Sequence, residues 1–374
     1  MVLKNESDAR CCGNKKQSKT NKSGFAALSF FSGCGGLDLG AESAGVKVLF
    51  STDFDKDCVD TLNANHSHSP SVKSHEDFMH LDKKNIDQII KKQNPDKVIV
   101  LGGPPCQPFS KASYWQTHKN RLGSDDPRNM IGPFLKYIQD VKPDGFILEN
   151  VESLLHPKNE VFVNQMEEQI EKFGFIFKRL KINCADFGVP QKRKRIFYIC
   201  MRKGNNFKYD LEPTHFDPRK QRNLELFQSS LLPYEKVKDW IDEFKDSKFS
   251  DGYDSAEGKY YQELLKVPAG KNYMALEELT DEGDPIFKKG SRYWTFLLKL
   301  HPDLPSPTII SAPGHWEGPF HWENRRLRIK ELAAIQTFPA SYNFKGSRRS
   351  IIKQIGNAVP PVAARKIVEN LVAN

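Results

Sequence analysis

The stretch "FAALSFFSGCGGLDLGAESAGVKVLFSTDF", residues 25–54, decides the fold. Its first apolar run, "FAALSFF", predicts a strand, and "GGLDLGAESAG" predicts a turn and a helix that Gly45 ends. The run "VKVLFSTD" predicts a second strand. A strand, a helix and a strand in this order form a βαβ unit, whose two strands lie parallel in one sheet. The chain therefore opens as an α/β protein.

The same alternation continues as far as about residue 203. The runs "DKVIVLGG" (96–103) and "DGFILEN" (144–150) predict further strands, and "FIFKRLKINCADFG" and "RIFYICMRKG" predict two more. We expect a mostly parallel sheet flanked by helices. The predicted division is a polar tail without fixed structure at 1–24, a first domain at 25–203, a smaller irregular domain at 204–325, and a return to the first domain at 326–374.

The composition of the 374-residue chain favours a soluble enzyme with a polyanionic partner. Lys and Arg number 56 against 47 Asp and Glu, which leaves a net charge of +9. The sequence contains no run of eighteen apolar residues, so no membrane span is predicted. The seven cysteines show no CxxC spacing, so we expect neither a disulfide framework nor a metal site, and we expect a reducing compartment.

The glycine-rich turn "FSGCGGLDLG" (31–40) predicts a ligand site at a helix N-terminus, although tight packing alone would also explain its glycines. Asp53 follows Gly33 by twenty residues, the spacing at which an acidic side chain meets ribose hydroxyls. The third glycine of a dinucleotide fingerprint is missing. Phe54 could stack on a purine or be an ordinary core aromatic. Together these residues favour a nucleoside cofactor without a pyrophosphate.

A thiol and a carboxylate follow two of the predicted strands. Cys106, in "GGPPCQPFS", stands in a loop stiffened by prolines, and Glu149, in "LENV", ends the next strand. The carboxyl ends of parallel strands share one sheet edge, so we expect a site there. A thiolate adds readily to electron-poor carbons, although a free cysteine is more often a small buried hydrophobe. Arg193 and Arg195 alternate at the start of a strand and are predicted to share a face.

Six motifs in order resemble those of the DNA (cytosine-5)-methyltransferases, and the resemblance extends over nearly the whole chain from about residue 27. It is closest to the single-chain bacterial enzymes of type II restriction-modification systems. It implies a Rossmann-like S-adenosylmethionine-dependent methyltransferase fold, with a target recognition domain at 204–325. The motifs are "FSGCGG", "GGPPCQPFS", "ENV", "QKRKR", "RRLRIKELAAIQTFP" and "QIGNAVPP".

The resemblance also implies a mechanism. Cys106 would add to C6 of a cytosine swung out of duplex DNA, which makes C5 nucleophilic towards the methyl group of S-adenosylmethionine. Glu149 would protonate N3, and Arg195, supported by Arg193, would hold the glutamate and the cytosine O2. The C5 proton then leaves and the cysteine is eliminated. The residue that accepts this proton is not indicated.

The cofactor contacts are carried over position by position. Phe31 would face the sulfonium, Asp53 would bind the ribose, and Phe54 would stack on the adenine. Asp77 and Phe78 would meet the adenine edge, although Glu76 could replace Asp77. The remaining predicted cofactor residues are Ser32, Gly33, Gly35, Leu37, Gly103, Pro105, Ile131, Asn357 and Val359.

The predicted DNA contacts are Ser110, Thr308, Ile309 and Arg325. Thr308 and Ile309 resemble the residue pair that orders the family's recognition domain, and Arg325 lies near the end of the loop "SAPGHWEGPFHWENRR" (311–326). The aromatic residues of that loop could equally form the small domain's own core.

Two alternatives remain open. One is methylation of tRNA cytosine, as in a eukaryotic relative that usually has threonine where Ser110 stands. The other is a DNA-binding protein without activity. The expected partners are double-stranded DNA with a short specific site and a restriction endonuclease that acts on the same site without stable binding, with no membrane and no metal. The expected location is the bacterial cytoplasm, in association with the nucleoid.

Overall fold

In the computed structural model, the described residues are 24–65, 83–105, 129–204, 207–219, 231–276, 290 and 292–373. Six strands form one sheet in the order β2-β1-β3-β4-β6-β5, and a separate pair joins β7 to β8. The strands are β1 (Phe25–Phe30), β2 (Lys47–Thr52), β3 (Lys97–Gly102), β4 (Gly145–Val151), β5 (Phe175–Asn183), β6 (Lys194–Arg202), β7 (His215–Phe216) and β8 (Leu232–Pro233).

The described helices alternate with the first strands and then dominate the C-terminal part. They are α1 (Gly36–Ser43), α2 (Lys56–Asn65), α3 (Lys83–Gln93), α4 (Ile131–Val141), α5 (Glu160–Lys172), α6 (Lys238–Ile241), α7 (Tyr261–Lys266), α8 (Ile329–Ile335), α9 (Arg348–Asn357) and α10 (Pro361–Val372). Within the described ranges, none of these helices has the length and apolar character needed to cross a membrane.

The sheet is mostly parallel, as predicted. Strands β1 to β4 pair in parallel, while β6 lies antiparallel between β4 and β5. The carboxyl ends of the first four strands therefore meet at one edge, and Phe30 of β1 pairs with both Thr52 and Gly102. The predicted glycine turn, Asp53, Gly103 and Glu149 all lie at this edge.

Apolar side chains cover both faces of the sheet. On one face, Phe134, Ile138 and Ile170 of α4 and α5 are fully buried against the strands. On the other, Ala41 of α1 packs with Ile367 among the buried residues of α10. The last described helix, α10, thus packs against the first one, α1.

The segment predicted as 204–325 contributes to three of the described cores, and its Tyr209 is buried with α10 against the sheet. Val237 and Trp240, at the start of α6, pack with Leu332 of α8 and with Cys34 beside the glycine turn. A separate small core contains Leu264, Tyr273, Phe296 and Phe320, among others. Among the described residues of the proposed recognition domain, a separate core is formed by residues between about 256 and 320, and the boundaries at 204 and 325 stay predictions.

Close packing of α1 against α10 leads to a stability prediction. A Cβ atom on Gly40 would lie 2.3 Å from the Ala364 Cβ and 2.7 Å from the Arg365 nitrogen, so Gly40→Ala forces the two helices apart. We expect a loss of about 1–3 kcal/mol in the free energy of unfolding, measured by urea denaturation. The matched control is Gly132→Ala in α4, where a Cβ meets nothing within 4 Å. That change should leave stability unchanged or raise it by up to about 1 kcal/mol. Equal losses in both variants would contradict the packing argument.

Candidate active site

The glycine turn lies between β1 and α1 and leaves space beside its backbone. Gly33 and Gly35 have φ values of 54° and 80°, and a Cβ on Gly33 would meet nothing within 4 Å. Phe31 also has a positive φ, 54°, and its ring lies 6.4 Å from that of Phe134. Ser32 is tied to β2, because its nitrogen donates to the Thr52 carbonyl at 3.0 Å. The turn thus forms an open cradle with a fixed backbone.

Asp53 is bonded directly to the glycine turn, to a residue twenty positions earlier in the sequence. The Gly33 nitrogen donates to Asp53 Oδ2 at 2.8 Å, and the Asp55 nitrogen donates to Oδ1 at 2.9 Å. Burial raises the pKa of Asp53, although these two hydrogen bonds act against the rise. Next to it, the Phe54 ring is 67% exposed. Phe54 is therefore a surface aromatic beside the cradle and not part of the core.

The other predicted cofactor residues differ in exposure. Leu37, Ile131 and Val359 are buried, Gly103 and Pro105 are half-buried, and Asn357 is exposed. A Cβ on Gly36 would lie 2.2 Å from the Val359 carbonyl oxygen, so the segment 357–359 packs directly on the glycine turn. The predictions at Asp77 and Phe78 lie outside the described residues.

The loop that leads to Cys106 is held by two hydrogen bonds. The Asn150 amide donates to the Pro104 carbonyl at 3.2 Å, and the Met130 nitrogen donates to the Pro105 carbonyl at 3.2 Å. Cys106 and Ser110 themselves lie outside the described residues. Asn150 was not among the predicted site residues, although its place in the "ENV" motif was a usable signal.

Glu149 projects from β4 into the same edge and pairs with Arg195. The Arg195 Nε lies 2.9 Å from Glu149 Oε1, across the antiparallel pair β4 and β6. The other carboxylate oxygen is 3.2 Å from the position of a Cβ on Gly103. Burial raises the pKa of Glu149, while Arg195 and Arg193 act against the rise. The structure therefore brings together a buried carboxylate, a guanidinium and the loop that precedes Cys106.

Arg193 has a different environment from Arg195. It is fully buried, and its terminal nitrogens donate to the Gly356 carbonyl at 2.8 Å and to the Ile309 carbonyl at 3.4 Å. Within the described part of the chain, its Nε has no hydrogen-bond partner. Burial lowers the pKa of Arg193 to about 9. The two arginines thus differ in what they contact, which the prediction of a shared face did not anticipate.

The described DNA candidates also have protein partners. The Thr308 hydroxyl donates to the Lys192 carbonyl at 2.7 Å, and Ile309 is buried. Arg325 donates with both terminal nitrogens to the buried Glu331, at 2.9 and 2.7 Å. This bidentate ion pair gives Arg325 a structural partner at the start of α8 and argues against a primary role in contacting phosphates.

The cofactor class implied by the sequence fits the residues present. The open space at Gly33, the acidic Asp53 and the exposed Phe54 ring suit the methionine, ribose and adenine parts of S-adenosylmethionine in turn. Among the described residues, no cluster of three or more His, Cys, Asp or Glu side chains is arranged to hold a metal ion.

Comparison with known proteins gives a consistent assignment. The family described as C-5 cytosine-specific DNA methylase matches residues 25–373. Type II methyltransferase M.SacI of Streptomyces achromogenes is 31% identical over 366 residues, which cover 92% of both chains. Type II methyltransferase M1.HphI of Haemophilus parahaemolyticus is 32% identical, covering 91% of this chain and 85% of that one.

Solved structures share the fold. The structure of a Spodoptera frugiperda DNMT2 mutant has a TM-score of 0.57 and 17% identity, covering 93% of this chain and 98% of that one. At that identity the likeness establishes the fold alone. The family match over nearly the whole chain establishes more: the chain belongs to the C-5 cytosine-specific DNA methylases and is a DNA cytosine-5-methyltransferase.

Proposed function

We propose that this enzyme modifies one cytosine within a short specific site of duplex DNA, as the modification half of a restriction-modification system. The observation that supports this most is the joining of Glu149, Arg195 and the Pro104–Pro105 loop at one sheet edge, beside the open glycine cradle. The relatives of matching length are named type II methyltransferases, which supports the restriction-modification setting.

The proposed catalytic roles are those that the family resemblance implies, and the contacts of Glu149 and Arg195 support them. Cys106 adds through its thiolate to C6 of a cytosine that has left the helix, because a stacked base cannot present C6 at a sheet edge. Glu149, whose burial favours its protonated form, donates to N3 as charge develops there. Arg195 fixes the glutamate and reaches the cytosine O2. Arg193 acts indirectly: it donates hydrogen bonds to the Ile309 and Gly356 carbonyls and does not contact the base.

S-adenosylmethionine, when bound, supplies a methyl group made electrophilic by its sulfonium charge. Asp53 binds the ribose hydroxyls with the lone pairs that Gly33 and Asp55 leave open, and Phe54 stacks on the adenine. The segment 357–359 closes the cradle from the C-terminal side. The chain thus holds the reacting groups side by side at one sheet edge.

The decisive experiment is transfer of labelled methyl groups from S-adenosylmethionine to mixed-sequence duplex DNA, followed by bisulfite sequencing. Protection of cytosines in one short motif is the expected result, and it identifies the site. Label in tRNA but not in DNA would favour the tRNA substrate instead. No transfer to either nucleic acid would favour a binding protein.

The cofactor assignment makes a separate prediction. Phe54→Ala should weaken binding of S-adenosylhomocysteine by about 1–3 kcal/mol, or about 5- to 150-fold in Kd, because a stacking surface is lost. Since the ring is 67% exposed, the melting temperature should stay unchanged. Isothermal titration calorimetry measures the Kd. The control is Trp294→Ala, which removes another aromatic residue that is 54% exposed. An unchanged Kd in Phe54→Ala would remove this residue from the cofactor site.

A further inference from the structure

Two buried glutamines that lie far apart in the sequence form a directed chain of hydrogen bonds. The Ile309 nitrogen donates to Gln191 Oε1 at 3.2 Å, and Gln191 Nε2 donates to Gln336 Oε1 at 2.5 Å. Gln336 Nε2 then donates to the Ala358 carbonyl at 2.6 Å. Both side chains are 0% exposed. We call Gln191 and Gln336 the glutamine relay.

One end of the glutamine relay lies at the proposed DNA-recognition segment. Ile309 follows Thr308, and Arg193 donates to the carbonyl of Ile309 at 3.4 Å. The backbone around Gln191 is also paired with this segment, since the Lys192 nitrogen donates to the Ser306 carbonyl at 2.8 Å and the Ser306 nitrogen donates to the Pro190 carbonyl at 2.8 Å. Any displacement of residues 306–309 therefore reaches Gln191 directly.

The other end of the glutamine relay lies against the proposed cofactor cradle. Ala358 precedes Val359, whose carbonyl oxygen would be 2.2 Å from a Cβ on Gly36. Arg193 runs alongside the relay and donates to the Gly356 carbonyl at 2.8 Å. The relay thus joins four segments: the recognition segment, the residues just before β6, the residue that follows α8 and the backbone that closes the glycine turn.

We propose that the glutamine relay is a positioning device that couples DNA binding to cofactor binding. This inference rests on the proposed function. Leaving a buried amide without its hydrogen-bond partner costs free energy. When Ile309 shifts, Gln191, Gln336 and Ala358 therefore shift with it, so that the hydrogen bonds are kept. Hydrogen bonds aligned in one direction also strengthen one another. DNA binding that holds residues 306–309 in this geometry therefore favours the observed position of 357–359, and the cofactor favours the same recognition geometry.

The chain offers a matched control in Gln354. It is a third buried glutamine, in α9, just before the segment that the relay reaches. Its side chain accepts from the Thr61 hydroxyl at 2.7 Å and donates to the Lys345 carbonyl at 2.8 Å. Neither partner belongs to the recognition segment. Gln354→Leu therefore removes a buried amide of the same kind without touching the relay.

The test is the Kd of S-adenosylhomocysteine by calorimetry, with and without a duplex oligonucleotide carrying the site found by bisulfite sequencing. For the wild type we expect DNA to tighten this binding by at least about 5-fold, within the usual range of coupling between sites. Gln191→Leu, Gln336→Leu and the double variant should reduce that factor to below about 2-fold, with S-adenosylhomocysteine alone still binding. Gln354→Leu should keep the wild-type factor even if its melting temperature falls.

The double variant keeps the test valid if single variants fold poorly, because it removes both partners of the Gln191–Gln336 bond together and leaves neither glutamine amide without the other; only the Ile309 nitrogen and the Ala358 carbonyl lose their partners. A double variant with the wild-type coupling factor would overturn the inference, and so would an equal loss of coupling in Gln354→Leu. A wild type that methylates DNA without any coupling overturns the inference alone. A wild type that does not methylate duplex DNA overturns the proposed function and the inference with it.

Discussion

Replacing Cys106 with serine is expected to lower methyl transfer to DNA by on the order of 10³-fold or more, because a serine hydroxyl stays protonated and cannot add to C6. The chain fixes the approach to this position: Asn150 and Met130 hold the carbonyls of Pro104 and Pro105, the two residues before it. A serine variant should keep its affinity for S-adenosylhomocysteine and its melting temperature. The measurement is single-turnover transfer of labelled methyl groups to a duplex containing the site.

The covalent step has its own readout. A duplex with 5-fluorocytosine at the target position should trap the wild type as a complex that survives denaturation, because fluorine cannot leave as the C5 proton does. Cys106→Ser should form no such complex. The matched control is Cys200→Ala, in the middle of β6, where burial raises the pKa of the thiol well above its ordinary value and keeps it protonated. Trapping by the serine variant would show that another residue is the nucleophile.

Local sequence patterns predict which residues lie at the sheet edge, but they do not predict the strand pairing and the contacts that hold those residues there. Phe31, Asp53 and Glu149 each stand just beyond or near the end of an apolar run, so the rule that parallel strands end together placed them at one edge. The bond from the Gly33 nitrogen to Asp53 agrees with a spacing visible in the sequence. The antiparallel position of β6 between β4 and β5 was not predicted, because the sequence does not state which strands pair.

The long-range polar contacts had no local signal. Gln191 and Gln336 are separated by 145 residues. The residues on either side of each glutamine do not distinguish a buried glutamine from an exposed one. Arg193 was grouped with Arg195 by alternation, but it precedes β6 and lies under the Ile309 and Gly356 carbonyls. Arg325 is predicted to contact DNA because of its place in the loop 311–326, whereas in the structure the buried Glu331 six residues later binds its guanidinium. Each of these partners is set by tertiary packing.

Replacing Glu149 with glutamine is expected to lower the rate of methyl transfer by about 10²- to 10⁴-fold, the range for loss of a general acid. Glutamine keeps the size of the side chain and can still meet Arg195, but it cannot give a proton to N3. Because burial raises the pKa of Glu149, its protonated form persists to higher pH than that of an ordinary glutamate. The kcat/KM of the wild type should therefore fall as pH rises through this pKa, and the Gln variant should lack that limb.

Glu152→Gln is the matched control for this change, three residues further along the chain. Glu152 forms an ion pair with Lys181 at 2.5 Å, in which the two side chains are 32% and 56% exposed. An exposed pair of this kind contributes little, so the control should keep the wild-type rate and the wild-type pH profile. If Glu149→Gln kept the high-pH limb, the limb would belong to another group. If it also kept the wild-type rate, Glu149 would not be the proton donor, and its pairing with Arg195 would be a structural contact at the sheet edge.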